Sequence, residues 1–345
     1  MTDFLIINIV IPLVQIGVLL GILGLATGYI VLAERKVLAF IQSRLGPMRV
    51  GPHGLLQPIA DSLKLILKED LIPGSADKLL YIASPIVVVA AAFTTLALIP
   101  FGEGITLFGY HIPGVIADVN VGILLILGIS GLTTYGIILG GWSSNSKYPL
   151  LGAMRAAAQM VSYEIALTFA VLTGLMLAGT LSMVGIVEAQ RDMGVWFVFI
   201  QPIAWGIFTI AMVAETNRAP FDMAEAESEL VGGFFTEYSG MRWALFFLGE
   251  YTAMLVMAAI NVTLFWGGWL RPFPNVEALA FLDAVPSGIW FLLKVTTFLY
   301  FYIWIRGTFP RYRYDQLMAL NWKSLIPLSI LNLLVTGVVM LLLAG

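Results

Sequence analysis

Polar positions in this chain are sparse and grouped. Between the groups lie eight apolar runs, at about 5–32, 79–101, 119–142, 151–176, 195–214, 243–270, 287–309 and 325–343. Each is near the ~20 residues that a helix needs to cross a bilayer. The pattern predicts an all-α, polytopic membrane protein with about eight transmembrane helices in one membrane domain, 1–345. The connection at 53–70 is patterned differently. Leu55, Leu56, Ile59, Leu63, Ile66 and Leu67 recur at helical spacing, while Asp61, Lys64 and Lys68 share another face. This predicts an amphipathic helix lying in the interface, with Pro58 in its first turn, where proline is tolerated. The alternation in ITLFGYHI within 101–118 predicts a small external hairpin. Gly17/Gly21, Gly24/Gly28 and Gly136/Gly140 each fall four apart, a spacing that lets helices approach closely.

Composition supports the bilayer as solvent: the chain is 59% hydrophobic and 11% charged, against roughly 45–50% apolar for a soluble domain. It has no cysteine and therefore no disulfide, thiolate metal site or cysteine-ligated cluster. His53 and His111 are its only histidines, and the topology sets them on opposite sides, which argues against a paired-histidine haem. No metal site or redox centre is read in the chain. The net charge of −3 says less than its distribution. Every Lys and Arg except Arg191, Arg271 and Lys294 falls in the connections after the first, third, fifth and seventh runs or in the run ends that border them, as Arg155 and Arg306 do. By the positive-inside rule those connections face the cytoplasm or mitochondrial matrix, and both termini the periplasmic or intermembrane side. The first ten residues have neither a basic leader region nor a small-residue cleavage site, so the first helix is expected to be retained.

One connection, the acidic loop at 215–241, breaks the general scarcity of charge. It holds Glu215, Asp222, Glu225, Glu227, Glu229 and Glu237, with Arg218 as the cation among them. Pro220 prevents the preceding helix from simply continuing. Glu225 and Glu229 would share a helical face, and like charges four apart are mildly destabilising. Phe221, Leu230, Val231, Phe234 and Phe235 make the segment too apolar for a solvated linker, so it is expected to fold inward with its acids. Glu164 lies nine residues past Arg155, roughly 13 Å deeper at 1.5 Å per residue. Glu250 lies within the sixth run, and Glu215 ends the fifth. Carboxylates at such depth face protein or a wet cavity, and a series of them suits proton transfer; internal ion pairs are the other reading. Lys294, alone in the seventh run, is expected to pair with Glu164 or Glu250. No phosphate loop, metal-binding spacing or nucleophile elbow occurs.

At these residues the chain resembles a known family. A214ETNRAPFDMAEAESELVGGFFTEYSG240, E34RKVLAFIQSRLGPMRVGPHGLLQPIADSLKLILKED70, R155AAAQMVSYEIAL167 and R306GTFPRYRYDQLM318 are similar, in order, to segments of one membrane subunit of respiratory complex I, numbered 1 in mitochondria and lettered H in bacteria. The resemblance implies a subunit of proton-translocating NADH:quinone oxidoreductase that forms the membrane mouth of a quinone tunnel. The substrate would be ubiquinone or menaquinone, with FMN and iron–sulfur clusters in partner subunits and no covalent catalysis here. Glu34, Arg35, Arg44, Asp61, Arg155, Arg218, Phe247 and Arg306 would line the tunnel. Glu164, Glu215, Asp222, Glu225, Glu227, Glu229 and Glu250 would form the proton relay. Implied partners are the hydrophilic subunits holding the terminal iron–sulfur cluster and the quinone head-group site, small membrane-arm subunits, antiporter-like subunits and lipid, with no nucleic acid. The implied location is the bacterial inner membrane, or alternatively the mitochondrial one. Three readings stay open beside it: the related subunit of a membrane-bound hydrogenase, a stand-alone proton-coupled transporter, and a scaffold whose acids bind basic partners.

Overall fold

The computed structural model describes residues 9–107, 110–223 and 231–344. Glu225, Glu227 and Glu229 lie outside the described residues. The chain is an all-α, polytopic membrane protein. Among the described residues seven helices are long and apolar enough to cross a membrane, and an eighth apolar helix is shorter. In chain order the elements are α1 (Ile11–Ile41), α2 (Gln57–Leu67), α3 (Lys78–Ala97), a two-stranded hairpin of β1 (Ile105–Leu107) and β2 (Tyr110–Ile112), α4 (Gly122–Ser143), α5 (Lys147–Ala178), α6 (Met183–Met193), α7 (Phe197–Ile200), α8 (Pro202–Glu215), α9 (Gly240–Phe265), α10 (Ser287–Thr308), α11 (Tyr314–Leu320) and α12 (Ile326–Ala344). The amphipathic helix α2 covers less of its connection than the apolar spacing suggested. The strands pair antiparallel, with Thr106 opposite His111.

Two helices with uniformly apolar surfaces gain little hydrophobic energy by meeting in lipid, so small residues and buried polar bonds decide which faces touch. α3 and α4 show this. A Cβ on Gly136 would sit 2.4 Å from Val88 Cγ2, and one on Gly140 2.7 Å from Ser84 Oγ. Ser84 Oγ also donates to Gly136 O at 2.7 Å. Gly28 serves α2 in the same way, since its Cβ would meet Pro58 Cβ at 3.0 Å. Gly17, Gly21 and Gly24 have open space around them. There the four-residue spacing does not mark a helix contact, and α1 turns most of its surface outward.

α5 is the central post. Gln159 Nε2 donates to Ala214 O at 2.7 Å and to Phe221 O at 2.8 Å. Tyr163 Oη donates to Leu317 O at 3.0 Å, and Asn321 Nδ2 to Ser162 O at 2.6 Å. These bonds tie α5 to the end of α8, the loop beyond it and the turn between α11 and α12.

Three elements differ from the sequence expectation. The fifth run is interrupted: Gln201 leaves helical geometry at φ −124°, ψ 57°, and Pro202 starts α8. The Gln201 side chain ties the break to α12, with Gln201 Nε2 donating to Thr336 Oγ1 at 2.9 Å and Asn332 Nδ2 donating to Gln201 Oε1 at 3.1 Å. The connection after α5 contains a further helix, α6, capped by Ser182 Oγ and ended by left-handed Gly194. The last helical segment begins at Tyr314 and passes through a π turn, Asn321–Leu325.

Lys294 meets no carboxylate among the described residues. Its Nζ donates to the carbonyls of Trp266, Gly268 and Leu270 at 2.7, 2.9 and 2.7 Å, and lies 4.5 Å from the Trp196 ring centroid. A helix C-terminus offers unsatisfied carbonyls and the negative end of its dipole. The C-cap carbonyl of Trp266 and two carbonyls of the turn that follows α9 satisfy all three ammonium donors.

Candidate functional site

The basic connections gather at one end of the bundle, where α1, α2, α8, α9 and α10 converge. Four buried or half-buried charges meet there. Glu34, near the end of α1, accepts a hydrogen bond from Tyr251 Oη at 2.6 Å and pairs with Arg306 of α10. Arg218 Nη1 lies 3.4 Å from the same carboxylate, and Arg218 Nε lies 2.6 Å from Glu250 Oε1. The second contact joins charges without an aligned N–H bond. The Arg218 guanidinium also sits 4.2 Å from the Tyr251 ring centroid. Burial opposes the charge of Arg218, but Glu250, Tyr251 and Glu34 outweigh it and raise its pKa, so Arg218 is a permanent cation. Two acids and two arginines therefore balance inside the protein, the arrangement a buried ionic group requires. Beside them, Asp222 is buried and pairs with Arg311 at 2.9 Å.

A groove opens on one side of this cluster, between α1, α2 and α9. Its volume is about 290 Å³, near the lower bound of ~300 Å³ for sites that bury a small molecule. Trp243, Phe247 and Tyr251 line it at successive turns of α9, with ring centroids 5.0 and 4.6 Å apart. Across from them, Arg35 pairs with Asp61 at 2.7 Å, and Gln57 Nε2 donates to Asp61 Oδ1 at 2.9 Å. The groove thus has an apolar aromatic wall and a polar wall with both charges.

On the other side lies an internal cavity of about 70 Å³, lined in part by Glu250, Glu215, Asn217, Thr133 and Ser130. It is large enough for a few waters. Glu215 Oε2 and Asn217 Oδ1 are buried and have no hydrogen-bond partner among the described residues; buried polar atoms usually have one. Gly131 of α4 makes room for Glu164, whose Oε1 would lie 3.4 Å from a Cβ there. Glu164 forms no ion pair among the described residues.

Of the residues singled out in the sequence, Glu34, Arg218, Glu250 and Arg306 form the cluster, and Arg35, Asp61 and Phe247 line the groove. Glu215 and Glu164 continue beyond Glu250, and Asp222 flanks the cluster. Arg155 is half-buried, with Nη2 3.8 Å from Met223 Sδ and its guanidinium 5.7 Å from the Tyr314 ring. Arg44 stands apart. It is exposed in the turn after α1, donates to Gln42 Oε1 at 2.7 Å, and is not on the groove wall. Sequence reasoning missed Tyr251 and Gln159. Gln159 had a visible signal: it falls between Arg155 and Tyr163 at four-residue spacing, one polar face on an otherwise apolar run.

Comparison with known proteins places this geometry in context. The sequence model described as NADH dehydrogenase matches residues 14–337. A Geobacter metallireducens protein named as an H-type subunit of NADH-quinone oxidoreductase is 48% identical, covering 97% of this chain and 98% of its own length. A Geobacillus protein of the same name is 51% identical over 94% and 92% of the two chains. A Koribacter versatilis protein, also named as an H-type subunit, is 47% identical over 94% and 90%.

Proposed function

Because the chain belongs to the NADH dehydrogenase family, as an H-type subunit of NADH-quinone oxidoreductase, we propose that its aromatic groove admits the quinone and that its buried acids couple quinone reduction to proton movement. The chain is a non-autonomous part of that membrane enzyme. Membership in a subunit family leaves a stand-alone transporter without support, and the names of the relatives leave the hydrogenase-type alternative without any.

The observation that carries the proposal is a shared residue at each junction. Tyr251 belongs both to the groove wall and to the charge cluster. Glu250 belongs both to the cluster and to the internal cavity. Glu215 lies across that cavity, with Glu164 beyond it. An isoprenoid quinone suits the Trp243–Phe247–Tyr251 wall, while Arg35 and Asp61 offer charge to its polar end. Reduction to the quinol takes up protons and redistributes charge beside Tyr251. At an effective dielectric near ~20 that change acts several-fold more strongly on neighbouring ions than it would in water. The Glu34–Arg218–Glu250 arrangement then passes the change to the proton occupancy of Glu215 and Glu164, a coupling between linked equilibria.

In this reading the basic end faces the cytoplasm and receives the hydrophilic subunits that supply electrons, and the lateral faces meet the small and antiporter-like membrane subunits. The acids Glu225, Glu227 and Glu229 would extend the relay from the loop. The test is made on assembled membranes. Glu164→Gln and Glu215→Gln should each lower the protons pumped per NADH oxidised, whereas undiminished pumping in both ends the relay reading. Phe247→Ala should raise the KM for quinone by up to about tenfold, ~1.4 kcal/mol of binding. An unchanged KM would remove the groove from the quinone path.

A further inference from the structure

At the end of the bundle opposite the basic connections, a second polar site lies far from the groove and the acid line. Arg191 and Arg271 are the basic residues of that end, 80 positions apart in the chain, and both line one cleft of about 530 Å³. A water occupies ~30 Å³, so the cleft is built for something larger than a few waters. Each arginine has an acid beside it. Arg191 pairs with Glu103, and Arg271 Nε lies 2.8 Å from Asp283 Oδ1. Arg271 is further held by the carbonyl of Pro274 at 2.8 Å, which fixes its guanidinium in the wall. Trp269 and Trp290 also line the cleft. The indole N–H of each is buried and has no hydrogen-bond partner among the described residues, and Trp269 is only 4% exposed. Two cations and two carboxylates thus line one space, walled in part by the two indole rings.

We infer that this cleft binds the head group of a phospholipid carrying both a phosphate and a primary ammonium, from the leaflet at this end. The guanidinium groups of Arg271 and Arg191 supply the donors a phosphodiester needs, and Glu103 and Asp283 accept from the ammonium. The paired acids decide against a simple anion. The site is already neutral, so a bare phosphate or a purely anionic head group would have to displace both carboxylates without replacing their charge. A zwitterion exchanges each existing pair for an equivalent one. The acids are free to make that exchange, since their side chains are 56% and 63% exposed and exposed pairs hold weakly. Lipid is favoured over a soluble zwitterion by the surroundings. Phe273 and Phe281 stand exposed beside the cleft, and Trp290 lies in the first turn of the membrane helix α10, the level at which aromatic residues sit in the interface.

The test uses the intact enzyme complex, purified in mild detergent, and native mass spectrometry of its retained lipid. The complex is reloaded with phosphatidylethanolamine, with phosphatidylglycerol or with inorganic phosphate. One phosphatidylethanolamine should be retained that Arg271→Gln releases. Arg191→Gln, at the more exposed of the two cations, should weaken its retention by about tenfold. NADH–quinone activity should remain in both variants, reporting assembly. Equal retention of phosphatidylglycerol or inorganic phosphate would make this a plain anion site and overturn the assignment. So would retention unchanged by both substitutions, or no retained lipid. If Arg271→Gln fails to assemble, the Arg191→Gln comparison decides alone.

Discussion

Arg218 is the residue on which the buried charges depend. It touches Glu34, Glu250 and the face of Tyr251, and its side chain is 7% exposed. Removing one member of such a group leaves the others as uncompensated buried charge, a loss of about 3–5 kcal/mol. Arg218→Met should therefore destabilise the subunit by about that amount, read as the unfolding temperature of the detergent-solubilised complex. Arg218→Met combined with Glu250→Gln should cost less than the sum of the two single changes, because the second removes the acid that the first strands. Strict additivity would mean that the two groups do not interact. Gln159 acts at the same scale by another route: its amide spans the carbonyls of Ala214 and Phe221, which holds Glu215 and Asp222, each one residue away, at fixed separation.

Among the elements, α9 carries most of the site. Its first half presents Trp243, Phe247 and Tyr251 to the groove and Glu250 to the cluster, and its far end is closed by Lys294. A buried lysine is costly unless its donors are used, and here all three are. Lys294→Met should lower stability by about 1.5–3 kcal/mol, the range for hydrogen bonds to a charged group, while leaving the KM for quinone unchanged. Thermal unfolding and steady-state kinetics separate the two effects. A raised KM with normal stability would instead make Lys294 part of the quinone path. The break before α8 belongs to the same scale. At 14 residues α8 is about 21 Å long, short of the ~30 Å hydrocarbon core. Its Glu215 end therefore sits within the protein beside the internal cavity rather than at the surface.

For the molecule as a whole, the two ends differ in kind. One gathers most of the cations around the groove and the buried cluster. The other carries the hairpin, α6 and the cleft at Arg191 and Arg271. The proposed orientation puts the first end in the cytoplasm, and the absence of cysteine makes a direct test possible. A single Ile105→Cys, at a position 62% exposed in the hairpin, should react with a membrane-impermeant maleimide added to intact cells. Reaction only after permeabilisation would reverse the topology. Much of this scale was legible in the linear pattern, because bilayer thickness sets the length of an apolar run and the insertion machinery sorts positive charge by side. The break at Gln201 went unread although Gln201 and Pro202 mark it, because the run is apolar on both sides and the side chains that hold Gln201, Asn332 and Thr336, lie more than a hundred residues away.

The sequence by itself determined the all-α membrane class, the places where polar residues could stand, and the family, since long motifs such as A214ETNRAPFD222 depend on residue identity alone. It also singled out Glu164, Glu215 and Glu250 as acids out of place in a greasy chain, and Glu34 through the family resemblance. Their partners were decided by tertiary structure. Glu34 and Arg306 are 272 positions apart, and no local rule links them. Lys294 found carbonyls rather than the carboxylate that charge arithmetic suggested, and Gly17, Gly21 and Gly24 face open space although Gly136 and Gly140 meet a helix. The reason is common to all these cases. Hydropathy and side-chain charge are carried by each residue wherever it lies, whereas pairing, capping and close packing exist only once distant segments have been brought together.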